Sequence, residues 1–109
     1  MNYEITHTQE DRDGYVYYME DGVKLPFYWE FMVGGFDIYV PTPEKWDSFC
    51  EQHDASRAKG RRQEILQRVA EETHKKKAKG AKVSIDDTGI SFSFEGSLIN
   101  RLLHKILGV

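Results

Sequence analysis

Short runs in which apolar and polar residues alternate dominate the first forty positions of the chain. Such alternation is typical of β-strands that have one face buried and one face exposed. In the run FDIYV, for example, Phe36 and Ile38 fall on one face and Asp37 on the other. The predicted strands of this region lie near residues 3–5, 15–19, 24–33 and 36–40.

Glycine and proline mark the boundaries between these strands. Asp21-Gly22 stands between two β-forming runs, which is a strong signal for a hairpin turn. Gly34-Gly35 predicts a tight turn or a sharp bend, because glycine has no Cβ to clash. Pro26 has no backbone N–H, so we expect it at an edge or a bulge of its strand.

The middle of the chain changes to a helical pattern. Thr42 is a candidate N-cap, and Pro43 suits the first position of a helix, where its missing N–H has no effect. Trp46 and Cys50 follow at helical spacing, and we expect this helix to fade near Asp54. We also expect Trp46 to be a buried core residue.

A longer helix is predicted between an N-cap at Ser56 and a stop at Gly80. A second hairpin follows near residues 83–94, in which we expect Phe92 to be buried. A final helix is predicted from a cap at Ser97 to about residue 107. The narrow apolar stripe of the long helix consists of Ile65, Leu66, Val69 and Thr73.

The resulting order of elements is β-β-β-β-α-α-β-β-α. Runs of strands followed by runs of helices indicate the α+β class. We therefore predict one globular domain over residues 1–109, with an antiparallel sheet of about six strands covered on one face by two or three helices.

Composition narrows the classes of function. The single cysteine cannot form an internal disulfide, the N-terminus lacks the features of a signal peptide, and no apolar run approaches the ~20 residues of a membrane span. These features predict a cytoplasmic protein. The four histidines lack the spacing of a zinc site, so we expect no metal and no cofactor.

A Cys–His pair is the strongest candidate for catalysis. Cys50 and His53 lie three residues apart on the first predicted helix. The acids around them, such as Asp47 and Glu51, would raise the pKa of the thiol and disfavour the reactive thiolate. We therefore expect a buried structural cysteine and no enzymatic activity.

Charge divides the chain into two unlike halves. Residues 1–54 hold 12 acids and 3 bases, whereas residues 55–109 hold 6 acids and 12 bases. The basic segment 57–79 is a candidate nucleic-acid-binding helix, but its cations are interleaved with glutamates and it has no aromatic residue for base stacking. A solvated helix face is the simpler interpretation.

The acidic half is also rich in tyrosine. Tyrosine provides anchors at protein interfaces, and acidic side chains steer a basic partner toward them. This combination predicts a binding face for a basic protein, although an ordinary sheet exterior would look similar. The candidate partner-binding residues are Asp11, Asp13, Tyr15, Tyr17, Glu20, Asp21, Tyr28, Asp37 and Tyr39.

The stretch from Phe27 to about Phe94 resembles small immunity proteins of bacterial polymorphic-toxin and contact-dependent growth inhibition systems. The shared features are FMVGGFDIYV followed closely by Trp46, one long charged helix around EIL, and then KVSIDDTGISF. The resemblance implies a cytoplasmic protein that is not an enzyme and that binds and neutralises one cognate toxin, such as a basic nuclease. It assigns no binding residue.

Two alternatives remain beside the immunity protein: a nucleic-acid binder that uses segment 57–79, and a structural or interaction subunit. The predicted helix 97–107 has a wide apolar stripe with three cationic or titratable side chains. Such a helix fits core packing or a homodimer contact better than a membrane surface.

Overall fold

The computed structural model describes residues 2–94 and shows an α+β fold. Six strands form one antiparallel sheet, and two α-helices and a 3₁₀ turn lie between the fourth and fifth strands. The predicted helix 97–107 lies outside the described residues. The elements are β1 Tyr3–His7, β2 Asp13–Glu20, β3 Val23–Met32, β4 Gly35–Tyr39, α1 Pro43–Gln52, the 3₁₀ turn Ser56–Ala58, α2 Arg62–Lys77, β5 Lys82–Ile85 and β6 Gly89–Ser93.

The strand order in the sheet is β1-β2-β3-β4-β6-β5. The first four strands form a meander, and the chain then crosses the sheet through both helices before the last hairpin adds β6 beside β4. Pro26 pairs with Tyr17 of β2, while the pairing of β4 with β3 starts only at Trp29. The proline therefore lies where β3 has no β4 partner, as its missing donor requires.

Alternation along the strands separates the sheet into two faces. On the inner face, residues such as Leu25, Phe27 and Ile38 are almost fully buried and belong to one core cluster with the helices. On the outer face, their neighbours are exposed or half-buried. Within residues 2–94 the helices pack on the inner face, which leaves the outer face open.

The glycines of Asp21-Gly22 and Gly34-Gly35 are needed for two different structural reasons. Gly22 and Gly34 occupy hairpin turns with φ of 74° and 83°, a backbone region that glycine adopts easily. Gly35 is the first residue of β4, where a Cβ atom would come within 1.8 Å of the Phe92 carbonyl oxygen. Gly35 is therefore required by the close approach of β6.

Helix α1 begins at the predicted position, with Thr42 as the N-cap residue and Pro43 as the first helical residue, but the Thr42 side chain forms no capping hydrogen bond. The Trp46 ring is 1% exposed and stacks on Phe27 at 6.1 Å between ring centroids. Its indole Nε1–H donates a hydrogen bond of 2.9 Å to the Ala58 carbonyl. The predicted burial of Trp46 is confirmed, as is that of Phe92 at 2% exposure.

Helix α2 starts later than predicted. The expected cap, Ser56, begins a short 3₁₀ turn, and α2 itself runs from Arg62 to Lys77. Gly60, with φ of 72°, separates the two elements, because that backbone conformation cannot continue a right-handed helix. The predicted apolar stripe is confirmed, since Ile65, Leu66, Val69 and Thr73 are all buried.

Candidate protein-binding face

Three carboxylates lie side by side across the outer face of the sheet. In the strand register, Glu30 of β3 is directly opposite Asp13 of β2 on one side and Asp37 of β4 on the other. None of the ion pairs found in residues 2–94 includes these three acids. We call Asp13, Glu30 and Asp37 the acid row.

A row of tyrosines runs parallel to the acid row. Tyr15 of β2 faces Tyr28 of β3, with ring centroids 5.8 Å apart, and Tyr28 stacks on Tyr39 of β4 at 6.0 Å. Tyr17 stacks on Tyr15 at 5.9 Å and lies under the ammonium group of Lys24. We call Tyr15, Tyr28 and Tyr39 the tyrosine row, and the two rows together the tyrosine–acid face.

Hydrogen bonds tie the two rows together. The Tyr28 hydroxyl donates to Asp13 Oδ2 and the Tyr39 hydroxyl donates to Glu30 Oε1, both at 2.6 Å. These bonds to carboxylates raise the pKa of Tyr28 and of Tyr39 to about 12. The phenols therefore stay neutral, and the carboxylates are held in fixed positions.

The turn next to the tyrosine–acid face is apolar and exposed. Val33 is fully exposed at the tip of the β3–β4 hairpin, and Met32 is 46% exposed. The Met32 sulfur lies 3.9 Å from the Tyr39 hydroxyl, so the tip is continuous with the tyrosine row. The exposed apolar tip therefore extends the surface formed by the tyrosine row.

Most of the predicted partner-binding residues meet on this face. Asp13, Tyr15, Tyr17, Tyr28, Asp37 and Tyr39 all belong to the outer side of β2, β3 and β4. The other predicted residues lie elsewhere. Asp11 is in the β1–β2 loop, close to the Asp13 end of the face, with φ of 62°. Asp21 is in the β2–β3 turn at the far end of β2, 3.3 Å from Arg57.

Glu20 lies on the inner side of the sheet. Its side chain is 9% exposed, and its carboxylate forms ion pairs of 3.0 Å with Arg61 and with Arg68 of α2. Tyr18 also donates to it, and the hydrogen bond from Arg61 is the main reason that the pKa of Glu20 falls to about 2. Glu20 therefore fixes α2 to the sheet and does not contribute to the tyrosine–acid face.

The contacts of Arg61 and Arg68 also bear on whether the basic segment 57–79 could bind nucleic acid. Besides Glu20, Arg61 and Arg68 each pair with Glu64 on α2. The Arg68 guanidinium also lies over the Tyr3 ring, 4.5 Å from its centroid. Both arginines are about one-fifth exposed and are engaged by acids, so they offer little charge to a phosphate backbone.

The two residues of the candidate Cys–His pair, Cys50 and His53, have different surroundings. Cys50 is fully buried, and burial followed by the nearby Asp47 raises the pKa of its thiol, as the acidic surroundings predicted. His53 is the C-cap of α1, and its ring packs edge-on against Phe49 at 4.7 Å. The thiol is a packing group in the core.

Residues 2–94 contain no group of three or more histidine, cysteine or acidic side chains arranged to hold a metal ion. Over the same range, none of the helices has the length and apolar character that crossing a membrane requires.

Comparison with known proteins returned no relative: no protein-family model, no curated protein and no solved structure matches the chain.

Sequence reasoning missed three members of this surface: Glu30, Met32 and Val33. The signal for Glu30 is the two-residue period of β3, which places it on the same side as Tyr28. Its position opposite Asp13 and Asp37 depends on strand register across three strands. That register is not visible in a single run of residues.

Proposed function

We propose that this chain is a binding protein of the immunity type, which neutralises a basic protein toxin by covering it with the tyrosine–acid face. The proposal combines the resemblance of residues 27–94 to immunity proteins with the geometry of the open sheet face. The toxin class that fits best is a nuclease, because the basic site that binds nucleic acid would meet the acid row.

The observation that carries the proposal is the alignment of Asp13, Glu30 and Asp37. Like charges directly opposite each other across strands destabilise a sheet. The register places three carboxylates in this arrangement, and two of them are held by tyrosine hydroxyls. A cationic surface docked on this row would relieve the repulsion, so the free protein is less stable than its bound form.

The tyrosine row supports the same proposal. Tyrosine contributes large contact area with few rotatable bonds, and ring stacking already restricts Tyr28 and Tyr39 in the free protein. An ordered interface loses less conformational entropy when it binds. The face therefore combines ordered aromatic anchors with steering charge.

We expect a toxin domain to be encoded immediately upstream of this gene, and a direct test takes the product of that upstream gene as the candidate toxin. The two proteins are purified and their affinity is measured by calorimetry, and toxicity is scored in cells with and without this chain. We expect a complex tighter than about 10 nM, since inhibitors that work stoichiometrically need affinities of that order. Absence of binding at micromolar concentration, or unchanged toxicity, would contradict the proposal.

The chain offers a matched pair of tyrosine variants for this measurement. Tyr39 lies on the tyrosine–acid face, whereas Tyr3 of β1 lies on the inner side of the sheet. Each of them is 39% exposed. We expect Tyr39→Ala to weaken the complex by about 2 kcal/mol, as interface tyrosines commonly do, and Tyr3→Ala to change it by less than about 0.5 kcal/mol. Equal effects of the two substitutions would exclude this face.

The nucleic-acid alternative is tested on the same protein preparation. Binding to generic RNA is measured at low and high salt for the wild type and for Lys75→Glu with Lys79→Glu, since both lysines are exposed. We expect no retention. Salt-dependent binding that the double substitution abolishes would favour the nucleic-acid function.

A further inference from the structure

A cavity of about 440 Å³ lies on the inner side of the sheet, away from the tyrosine–acid face. It is situated between the C-terminal half of α2 and the first four strands, and its volume lies in the range of small-molecule sites, about 300–1,000 Å³. Its described lining is His7, Thr8, Gln9, Val16, Trp29, Phe31, Phe36, Thr73, Lys76, Lys77 and Lys79.

One wall of the cavity is apolar and rigid. Trp29 and Phe36 are less than one-tenth exposed, and Phe31 packs edge-on against the Trp29 ring at 5.1 Å. The Trp29 indole Nε1–H donates a hydrogen bond of 2.8 Å to the Thr8 carbonyl, which fixes the ring. This wall suits an aromatic or aliphatic group.

The opposite side is polar and carries positive charge. Lys76, Lys77 and Lys79 follow one another at the end of α2, and Lys77 and Lys79 make no ion pair within residues 2–94. The ammonium group of Lys76 is 3.6 Å from the carboxylate of Glu72. The cavity therefore has an excess of cationic groups at its rim.

Two polar groups lie deeper inside. The His7 Nε2 and the Thr73 hydroxyl are hydrogen-bonded at 2.8 Å, and Thr73 is 1% exposed. Burial, followed by the charges of Lys77 and Lys76, lowers the pKa of His7 to about 4. The neutral His7 and the Thr73 hydroxyl thus lie in the same cavity as the side chains of Lys76, Lys77 and Lys79.

We propose that this cavity binds a small amphiphilic anion, with the apolar body against Trp29, Phe31 and Phe36 and the carboxylate or sulfonate among the lysines. Apolar burial would supply affinity, and charge-assisted hydrogen bonds from Lys77 and Lys79 would select an anionic head group. This site is separate from the tyrosine–acid face, so it does not depend on the proposed function.

Two fluorescent probes that differ by one sulfonate test the proposal: 8-anilinonaphthalene-1-sulfonate and its neutral counterpart N-phenyl-1-naphthylamine. Both are titrated into the full chain. We expect the sulfonate to bind at least about tenfold more tightly, the scale of one charge-assisted hydrogen bond. We also expect decanoate, but not decanol, to displace it. Equal binding of the two probes would overturn the proposal.

Lysine variants at the end of α2 and just after it locate the head group. We expect Lys77→Gln with Lys79→Gln to weaken binding of the sulfonate by about tenfold and to leave the neutral probe unchanged. Lys75→Gln is the matched control, since Lys75 is exposed on α2 but does not line the cavity. Loss of sulfonate affinity in the control alone, or equally in both variants, would contradict the assignment.

Amide chemical shifts provide a measurement that does not depend on fluorescence. With decanoate, we expect perturbed amides to centre on Phe31, Thr73 and Lys77, in a spectrum that keeps its native dispersion. Perturbations centred on the exposed Met32–Val33 tip, or a collapse of dispersion, would show that the probe binds another apolar surface or an unfolded state, and would overturn the proposal.

Discussion

The indole of Trp46 joins α1 both to the sheet and to the 3₁₀ turn. It stacks on Phe27 and donates to the Ala58 carbonyl, and it is almost completely buried. We expect Trp46→Ala to lower the free energy of unfolding by about 3–5 kcal/mol. Trp46→Phe keeps most of the ring contact and should cost less. Urea denaturation measures both, and a loss below about 1 kcal/mol for the alanine variant would contradict the core assignment.

His7 connects pH to stability through its partly buried hydrogen bond with Thr73. Its pKa is about 4 in the folded protein, against 6.5 when exposed, so the unfolded chain takes up the proton first as pH falls. This contribution to stability is complete above pH 6.5 and is lost between pH 6.5 and about 4.

His7→Gln keeps a hydrogen-bonding group near Thr73 but does not titrate. Denaturation at pH 7, 5.5 and 4.5 should therefore show a smaller loss of stability in the variant than in the wild type. Parallel pH profiles for the two proteins would show that His7 is not the group responsible.

Residue burial was largely predictable, because it follows from a period of two in strands and 3.6 in helices. Trp46, Phe92 and the stripe from Ile65 to Thr73 illustrate this. Glu20 shows the limit of the same reasoning. Its position at the end of β2 identifies a strand residue, but its pairing with Arg61 and Arg68 requires knowing how α2 crosses the sheet.

Among the elements, β4 is tightly constrained by its neighbour β6. A methyl group at Gly35 would overlap the Phe92 carbonyl of β6, which is backbone and cannot rotate away. We expect Gly35→Ala to lower the free energy of unfolding by about 2–4 kcal/mol, as strain on a packed backbone does. Gly34→Ala is the control, since Gly34 has open space around it and only its positive φ opposes the substitution. Denaturation curves in which Gly34→Ala is the more destabilised protein would contradict this.

For the acid row across β2, β3 and β4 we predict a substitution that raises the free energy of unfolding, whereas Gly35→Ala lowers it. Glu30→Gln removes the central charge between Asp13 and Asp37 while an acceptor for Tyr39 remains. We expect it to stabilise the free protein by about 0.2–1 kcal/mol, the scale of one cross-strand pair. Under the proposed function it should also weaken toxin binding. Lower stability in thermal melts would show that the carboxylate has a structural role.

The boundaries of elements were less predictable than their existence. Ser56 has the chemistry of an N-cap, and residues 57–61 contain good helix formers, but Gly60 adopts a positive φ and α2 begins after it. A glycine in a helical pattern can either lie within a helix or interrupt it, and tertiary packing of the 3₁₀ turn decides which of the two occurs.

At the scale of the whole molecule, charge should control the rate of association. Asp13→Lys with Asp37→Lys reverses two charges of the acid row, whereas Glu71→Lys with Asp87→Lys changes net charge equally at exposed positions away from the face. We expect the first pair to slow association with a basic toxin by about tenfold or more at low salt, and the second to do so much less.

Stopped-flow measurements at rising ionic strength check this prediction. The difference between the two double variants should shrink above about 0.15 M salt, where the Debye length is about 8 Å. Equal association rates for the two variants at low salt would show that net charge, and not the acid row, guides the partner.

The class and strand content of the fold followed from the order of elements, and the membership of the outer face followed largely from alternation. The order of the strands in the sheet could not be predicted in this way. The insertion of β6 between β4 and β5 brings Phe92 against Phe36, and it depends on long-range pairing that local patterns do not encode. The lysine-lined cavity could not be predicted from the sequence either, because residues from distant segments of the chain form its walls.

Within residues 2–94, the helices pack on one side of the sheet and leave the other side uncovered, and this difference has a consequence for evolution and for engineering. Outer residues such as Tyr15, Asp37 and Ser91 alternate with core residues but do not belong to the core cluster. Substitutions at outer positions can therefore change that surface while the core contacts that stabilise the fold stay the same. A library randomised at outer positions of β2, β3 and β4 should keep cooperative unfolding in most members while it samples new specificities, and the chain would then serve as a scaffold for selecting new binders.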